Sequence, residues 1–95
     1  GVIINNNVEI SKNCIINTGS IIEHDCKIGD NSFIGPGSVV TGGCIIGKNV
    51  TINSSCTLAP NVNIKDNICV GATSFVNKDL NTKGLYYGIP VKFVK

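Results

Sequence analysis

Large aliphatic residues recur at every sixth position along most of this chain. The series has thirteen members and no insertion between the first and the last. These ladder residues are Ile4, Ile10, Ile16, Ile22, Ile28, Ile34, Val40, Ile46, Ile52, Leu58, Ile64, Val70 and Val76. A period of six matches neither the alternation of a half-buried strand nor the three- and four-residue spacing of a helix. The pattern therefore predicts a repeated short strand followed by a corner.

Two other positions of the repeat support this interpretation. The position two residues before each ladder residue, here called the slot, accepts Val, Ser, Cys or Ile, which is typical of a small buried site. Turn-prone pairs such as Gly29-Asp30 and Asn53-Ser54 follow the ladder residues. Gly and Asn tolerate positive φ, and Asp and Ser favour tight turns. A strand and a sharp corner every six residues predict a solenoid whose coil closes after three corners.

The repeat resembles the hexapeptide-repeat, left-handed parallel β-helix, an all-β fold. With three hexapeptides in each coil, residues 18 apart stack, and the ladder predicts about four coils. Each buried aliphatic side chain contributes roughly 1.5–3 kcal/mol. We predict the β-helix over residues 1–77. Residues 78–95 are predicted to form a C-terminal loop and a cap, because the ladder ends at Val76 and solenoids need capped ends.

Composition and charge exclude several classes of partner. The net charge is +2, and the eight basic residues are scattered lysines. A nucleic-acid-binding protein would be expected to cluster its basic residues and to use arginine. No apolar run approaches the roughly 18 residues that a membrane span requires. We therefore expect neither a nucleic-acid partner nor a membrane partner.

The cysteines predict a reduced, cytoplasmic protein rather than a disulfide framework. Four of the five occupy slot positions, namely Cys14, Cys26, Cys44 and Cys56. A free cysteine packs there as a small hydrophobic residue. The odd count and the absence of a Cys-x-x-Cys pair weaken a metal or redox interpretation. We expect reduced core thiols and no metal site.

His24, the only histidine, stands at a predicted corner between Glu23 and Asp25. Corner side chains point outward, so an exposed histidine without function is one interpretation. A carboxylate bound to one ring nitrogen would, however, fix the tautomer of the imidazole. Gly42 lies one coil further on and has no side chain, so a ligand could approach its N–H below the ring. A base beside an exposed amide is the arrangement that acyl transfer requires.

Four segments together resemble the bacterial hexapeptide-repeat sugar acetyltransferases. The resemblance is to the sialic acid O-acetyltransferase and UDP-4-amino-sugar N-acetyltransferase group. The segments are Ile15-Ile16-Asn17-Thr18-Gly19, Glu23-His24-Asp25-Cys26-Lys27-Ile28-Gly29-Asp30, Pro36-Gly37-Ser38 and Gly88-Ile89-Pro90-Val91-Lys92. The resemblance implies acetyl-CoA-dependent transfer of acetyl to an amine or hydroxyl of a sugar or nucleotide sugar. It also implies a homotrimer with acetyl-CoA between adjacent subunits.

The same resemblance implies roles for His24 and the residues around it. His24 corresponds to the general base that deprotonates the acceptor. Asp25 corresponds to the acid that follows this base, and Glu23 is a second candidate for orienting the ring. Gly42 corresponds to the glycine whose amide faces the thioester carbonyl. Which of the two acids contacts the imidazole is left open by the sequence.

Further residues correspond to the coenzyme-binding part of these enzymes. Gly71 and Ala72 match a small pair whose backbone passes close to the CoA chain. Pro90 lies in the terminal segment that approaches the nucleotide end of CoA. Two positions depart from the pattern: Phe33 stands where relatives often carry a second histidine, and Ala72 stands where glycine is common.

The relatives also carry an N-terminal nucleotide-sugar-binding domain. We expect such a domain upstream of this chain, because no methionine begins the chain and the repeat is already in phase at Val2.

The alternative function is a non-catalytic β-helix that serves as a trimerisation scaffold. A zinc enzyme of the carbonic-anhydrase type would need three histidines or their equivalent, and the chain has one.

Overall fold

The computed structural model describes residues 1–95 and contains only β-strands, most of them two residues long. The strands are β1 (Ile3–Ile4), β2 (Glu9–Ile10), β3 (Ile15–Ile16), β4 (Ile21–Ile22), β5 (Lys27–Ile28), β6 (Phe33–Ile34), β7 (Val39–Val40), β8 (Ile45–Ile46), β9 (Thr51–Ile52), β10 (Thr57–Leu58), β11 (Asn63–Ile64), β12 (Ile68–Val70), β13 (Phe75–Val76), β14 (Gly84–Gly88) and β15 (Val91–Phe93). No segment forms a helix of the length and hydrophobicity needed to cross a membrane.

The strands form the three faces of a prism. Face A has the order β1-β4-β7-β10-β13, face B has β2-β5-β8-β11, and face C has β3-β6-β9-β12-β14-β15. Ile4 pairs with Ile22, and Ile22 pairs with Val40, in parallel register. Residues 18 apart therefore stack, and the predicted left-handed parallel β-helix is confirmed.

The corners are named here by the faces they join. The A–B corner contains residues 6–7, 24–25, 42–43 and 60–61; the B–C corner contains 12–13, 30–31, 48–49 and 66–67; the C–A corner contains 18–19, 36–37, 54–55 and 72–73. The second residue of each corner has positive φ and is most often asparagine or glycine, for example Asn7 at 57° and Gly19 at 71°. These residue types tolerate the left-handed region, which explains the sharp turn.

The ladder and slot residues fill the prism. Every ladder residue from Ile22 to Val76 is buried, and so is every slot residue from Ser20 to Ser74. Three of the four buried serines donate to carbonyls one coil on; Ser20 Oγ, for example, donates to the Gly35 oxygen at 2.8 Å. No buried side-chain nitrogen or oxygen lacks a hydrogen-bond partner. Burial also raises the pKa of the Cys26, Cys44 and Cys56 thiols, which disfavours the reactive thiolate.

The first coil differs from this pattern, because none of residues 1–95 covers its lower end. Ile4 and Ile10 occupy ladder positions, yet they are 48% and 37% exposed. The periodic pattern identifies which residues point inward, but burial also requires neighbours on both sides. The ladder is thus a complete core only from the second coil onward.

The C-terminal region adds a further turn that the ladder does not predict. Leu80 forms a parallel bridge with Ile64 and is 1% exposed, and Tyr86 pairs with Val70. The interval from Val76 to Leu80 is four residues, after which the six-residue spacing returns at Tyr86. The β-helix therefore has about five turns rather than about four, because a two-residue shortening hides the continuation.

The chain then reverses and ends on face C. Strand β15 pairs antiparallel with β14, placing Phe93 beside Tyr86. Their rings meet edge to face with centroids 5.4 Å apart, an arrangement that aromatic pairs prefer. Val91 is buried against the core. The apolar tail is thus a hairpin that extends one sheet of the prism.

Candidate active site at the A–B corner

His24 projects from the A–B corner directly after strand β4. The positive φ of Asp25, 60°, turns the chain sharply here, so the imidazole stands outside the prism. The His24 side chain is 60% exposed. The predicted position of His24 outside the core is therefore confirmed.

The two acids beside His24 have different partners. Asp25 Oδ2 lies 2.8 Å from His24 Nδ1. Glu23 Oε1 instead accepts a hydrogen bond from Asn5 Nδ2, at 2.9 Å. A carboxylate can only accept, so Nδ1 donates to Asp25 and Nε2 of a neutral ring keeps its lone pair. The structure thus brings Asp25 rather than Glu23 onto the ring.

The Asp25 carboxyl is held in its ionised form. The hydrogen bond from His24 is the main cause that lowers its pKa, and a hydrogen bond from the Asn7 side chain lowers it further. Hydrogen bonds to the charged form always act in this direction. Asp25 therefore remains an acceptor for Nδ1 across the neutral and mildly acidic range.

Gly42 lies one coil beyond His24, immediately against its ring. A Cβ atom at Gly42 would be 2.7 Å from both Cε1 and Nε2 of His24. Real Cβ atoms do not approach so closely, and only glycine leaves room for the imidazole in this position. The sequence-based expectation that the ring stacks over this glycine agrees with the geometry.

The N–H of Gly42 makes no hydrogen bond within the chain. Its neighbours are both paired: the Gly42 oxygen accepts from Asn61 N–H at 2.9 Å, and Gly43 N–H donates to the His24 oxygen at 3.0 Å. An unpaired backbone N–H at an exposed corner is a ready donor for a ligand. The A–B corner therefore combines a proton acceptor, Nε2, with a free hydrogen-bond donor.

The other predicted site residues lie at a different corner. Gly71 follows strand β12, and Ala72 is at the C–A corner. Pro90 is in the turn between β14 and β15, and the neighbouring Gly88 N–H donates to Ser74 Oγ at 3.1 Å. The full width of face A separates these residues from His24. Within one chain, Glu23, His24, Asp25 and Gly42 are brought together, and Gly71, Ala72 and Pro90 are not.

Sequence reasoning missed three contacts in these two regions. Asn5 Nδ2 hydrogen-bonds Glu23, and Asn7 lies one coil below Asp25 and helps to lower its pKa; each asparagine precedes its acid by 18 residues. Tyr87 covers Gly71: a Cβ there would lie 2.6 Å from the Tyr87 ring. No spacing predicted this last contact, because Tyr87 lies after the two-residue shortening.

One surface groove occurs elsewhere, on face C beside the B–C corner. Its volume is about 590 Å³, and none of the predicted site residues lines it. The lining residues are Asn49, Thr51, Asn67, Ile68, Cys69, Lys83, Gly84, Leu85 and Lys95. The structure groups no three His, Cys, Asp or Glu side chains in an arrangement that could hold a metal ion.

Comparison with known families supports the resemblance seen in the sequence. The family described as bacterial transferase hexapeptide (six repeats) matches residues 7–42, which include His24 and Gly42. No curated protein sequence gives a significant match. The family match therefore covers the part of the prism that carries the A–B site.

Several solved structures with the same fold are acetyltransferases. A histidine-to-asparagine mutant of perosamine N-acetyltransferase from Caulobacter crescentus, in complex with CoA and GDP-perosamine, has 25% identity and a TM-score of 0.89 over 99% of this chain and 53% of its own. The acetyltransferase domain of PglB from Neisseria gonorrhoeae, in complex with acetyl coenzyme A, has 20% identity and a TM-score of 0.96 over 98% of this chain and 45% of its own.

A third similar structure is a maltose O-acetyltransferase from Clostridium difficile, with 22% identity and a TM-score of 0.80 over 100% of this chain and 66% of its own. The resemblance to the hexapeptide-repeat sugar acetyltransferases is thus confirmed, with N- and O-acetyltransferases both among the similar structures. The chain spans about half the length of the perosamine N-acetyltransferase that it matches.

Proposed function

We propose that this chain is the acetyl-CoA-dependent catalytic part of a sugar or nucleotide-sugar acetyltransferase, with His24 as general base. The observation that carries the proposal is the position of the imidazole against Gly42, whose N–H is free. Similar structures bind CoA with GDP-perosamine, or acetyl coenzyme A, and this supports the same class of substrates here.

His24 Nε2 would take the proton from an amine or hydroxyl of the acceptor sugar as that atom attacks the thioester carbonyl. Asp25 keeps the ring oriented through Nδ1. Gly42 N–H would donate to the carbonyl oxygen as negative charge develops on it. When the carbon–sulfur bond breaks, the imidazolium returns the proton to the thiolate, giving free CoA and the acetylated sugar. A positioned base typically supplies about 10²–10⁴-fold, and one oxyanion donor about 10²–10³-fold.

The coenzyme-binding residues make the site incomplete in a single chain. Gly71, Ala72 and Pro90 lie near the C–A corner, whereas His24 lies at the A–B corner, and face A separates the two. When three prisms surround an axis with face A inward, the A–B corner of each copy lies beside the C–A corner of the next. We therefore propose a homotrimer in which acetyl-CoA binds between adjacent copies.

The outward side chains of the faces support this orientation. Face A presents Ile21, Val39 and Phe75, all half-buried. Face B presents Ile45 but also an ion pair, with Lys27 Nζ 3.6 Å from Glu9 Oε2. An apolar face suits an interface between copies, and a charged face suits solvent.

The five free cysteines fit the reducing conditions of the cytoplasm, which is the compartment we propose.

The scaffold alternative is favoured by the same apolar face, since trimerisation alone would require it. Titration of acetyl-CoA into the protein by calorimetry, with the mass measured by light scattering, separates the two functions. The enzyme is expected to be a trimer that binds acetyl-CoA with a dissociation constant between about 1 µM and 1 mM, the usual range of KM. A trimer that gives no heat of binding would overturn the proposal in favour of a scaffold.

Two variants of the same coil test the orientation of the trimer. Val39→Lys puts a charge on face A, and Ile45→Lys puts the same charge on face B at the equivalent strand position. Val39→Lys is expected to lose both the trimer and acetyl-CoA binding, because the charge would have to be buried at the interface. Ile45→Lys is expected to keep both. Equal behaviour of the two variants would contradict face A as the interface.

A further inference from the structure

The groove on face C is lined by several hydrogen-bond donors and by no acid. Its donors are the ammonium groups of Lys83 and Lys95, the side-chain amides of Asn49 and Asn67, and the hydroxyl of Thr51. No Asp or Glu side chain belongs to the lining. We propose that this groove binds a phosphorylated small molecule, at a site separate from the one at His24.

The stacking of the repeat builds one part of the groove. On face C, Cys69 of β12 pairs with Thr51 of β9 and with Leu85 of β14. Residues in register stack, so these three outward residues form one column. Asn49 and Asn67 close the B–C corner beside this column, with φ of 55° and 60°. The repeat therefore places two side-chain amides along one edge of the groove.

The C-terminal region brings the two lysines to the same place. Gly84 N–H donates to the Asn67 oxygen at 3.3 Å, which puts Lys83 at the B–C corner. Leu85 N–H donates to the Lys95 oxygen at 2.9 Å, which holds the end of the tail beside β14. Both cations therefore reach the groove because the tail returns antiparallel on face C.

These donors have no partner within the chain. Neither Lys83 nor Lys95 takes part in an ion pair. The side-chain amides of Asn49 and Asn67 likewise make no hydrogen bond to another residue. Asp66 precedes Asn67 but does not line the groove, and its Oδ1 accepts from a backbone N–H. Unpaired cations and amides around one space complement an anion with several acceptor oxygens.

The size of the groove indicates the class of ligand. Its volume of about 590 Å³ lies within the range of roughly 300–1,000 Å³ that is usual for small-molecule sites. A phosphate group is charged and carries three strong acceptor oxygens, which match the ammonium groups and the amides. Leu85 and Cys69, both half-buried, add apolar surface for the remainder of the molecule.

The groove is distinct from the proposed coenzyme site. None of Gly42, Gly71, Ala72 and Pro90 lines it. The B–C corner is the corner of the prism opposite face A, so a trimer formed through face A leaves the groove open. The inference therefore does not depend on acetyl transfer.

The test is a titration with inorganic pyrophosphate, followed by amide NMR of the full chain with and without excess acetyl-CoA. Saturable shifts are expected at Asn49, Asn67 and Lys83 under both conditions. Shifts that do not saturate, or that occur equally at lysines outside the groove, would overturn the proposal. Loss of pyrophosphate binding in the presence of acetyl-CoA would also overturn it, because the groove would then be part of the coenzyme site.

A pair of double variants separates the groove from the overall charge. Lys83→Gln with Lys95→Gln is expected to weaken pyrophosphate binding by about tenfold or more, because hydrogen bonds to charged groups are the strong ones. Lys12→Gln with Lys78→Gln removes the same charge outside the groove and is expected to keep the wild-type affinity. Equal affinities of the two double variants would mean non-specific attraction and would refute a built site.

The amides are tested by glycine substitutions that keep the corner geometry. Asn67→Gly removes a donor and retains the positive φ, so binding should weaken by about two- to tenfold, the net value of one hydrogen bond. Asn13→Gly is the matched control, because Asn13 has φ of 57° at the same corner but does not line the groove. Equal affinity in the two variants would exclude the amide from the site.

Discussion

The A–B and B–C corners occupy equivalent positions in the repeat, yet Gly42 N–H is free at the first, whereas Lys12 N–H and Lys48 N–H are paired at the second. At the B–C corner, Asp30 Oδ1 accepts from Lys12 N–H at 3.2 Å, and Asp66 Oδ1 accepts from Lys48 N–H at 2.8 Å. Two of the four amides at the first position of this corner, those of Lys12 and Lys48, are therefore paired with an acid one coil above. The protein therefore satisfies these donors internally.

At the A–B corner the corresponding amide belongs to Gly42. The residue one coil above it is Pro60, which has no side-chain acceptor. From the coil below, the imidazole of His24 lies against the same glycine. The amide consequently stays open next to a basic nitrogen. The repeated ladder and slot positions build the prism. The A–B corner departs from the repeat by placing a free amide beside His24, which makes it the candidate active site.

Among the substitutions at the two corners, replacing His24 is expected to have the largest effect on the rate of acetyl transfer. His24→Ala removes the proton acceptor and should slow acetyl transfer to an amino-sugar nucleotide by about 10²–10⁴-fold, measured as release of free CoA. The melting temperature and the trimer should not change, because the side chain is 60% exposed. The matched control is Lys12→Ala at the B–C corner, which should retain activity. An active His24→Ala variant would refute the assignment of the base.

Filling the space at Gly42 is expected to have the next largest effect. Its φ is not positive, so the backbone accepts alanine, and the only obstacle is the His24 ring 2.7 Å from the new Cβ. The ring must move, and displacement of a catalytic group by about 1 Å can cost about 10²-fold in rate. CoA release by Gly42→Ala should fall accordingly, while unfolding in urea should change little.

A control for Gly42→Ala exists one corner further on the same coil. Lys48→Ala shortens a corner side chain that contacts no predicted site residue, and it should keep the wild-type rate. If Gly42→Ala matched Lys48→Ala in rate, the contact between His24 and Gly42 would have no part in catalysis.

The sequence was sufficient to predict the fold because one spacing governs it. The ladder alone indicates the stacking of Ile4, Ile22 and Val40 and the outward position of His24. It fails in two places, and for physical reasons. The first coil has the right residues but is left uncovered by residues 1–95. The spacing of four before Leu80 interrupts the period on which the prediction depends.

The site was predictable only as far as stacking determines it. A spacing of 18 residues is enough to put Gly42 against His24. It could not decide between Glu23 and Asp25, because that choice depends on side-chain hydrogen bonds: Asn5 donates to Glu23, and His24 Nδ1 lies against Asp25. The catalytic roles of these residues stay predictions, which the variants above test.

Removing the acceptor of Lys48 N–H at the B–C corner is expected to have the smallest effect, and it should act on stability alone. Asp66→Ala removes the acceptor of Lys48 N–H, which then bonds to water. The free energy of unfolding should fall by about 0.5–1.5 kcal/mol, the net value of one such hydrogen bond, and the urea midpoint should fall with it. Asp30→Ala should lower stability less, because its hydrogen bond is longer, 3.2 Å against 2.8 Å.

Neither change at the B–C corner should alter acetyl transfer, because an open amide is useful only beside a base. A lower kcat in Asp66→Ala with an unchanged urea midpoint would mean that the B–C corner takes part in the reaction. Unchanged stability and unchanged activity together would mean that the acid does not close its corner in solution, and the contrast with the A–B corner would then lose its physical basis.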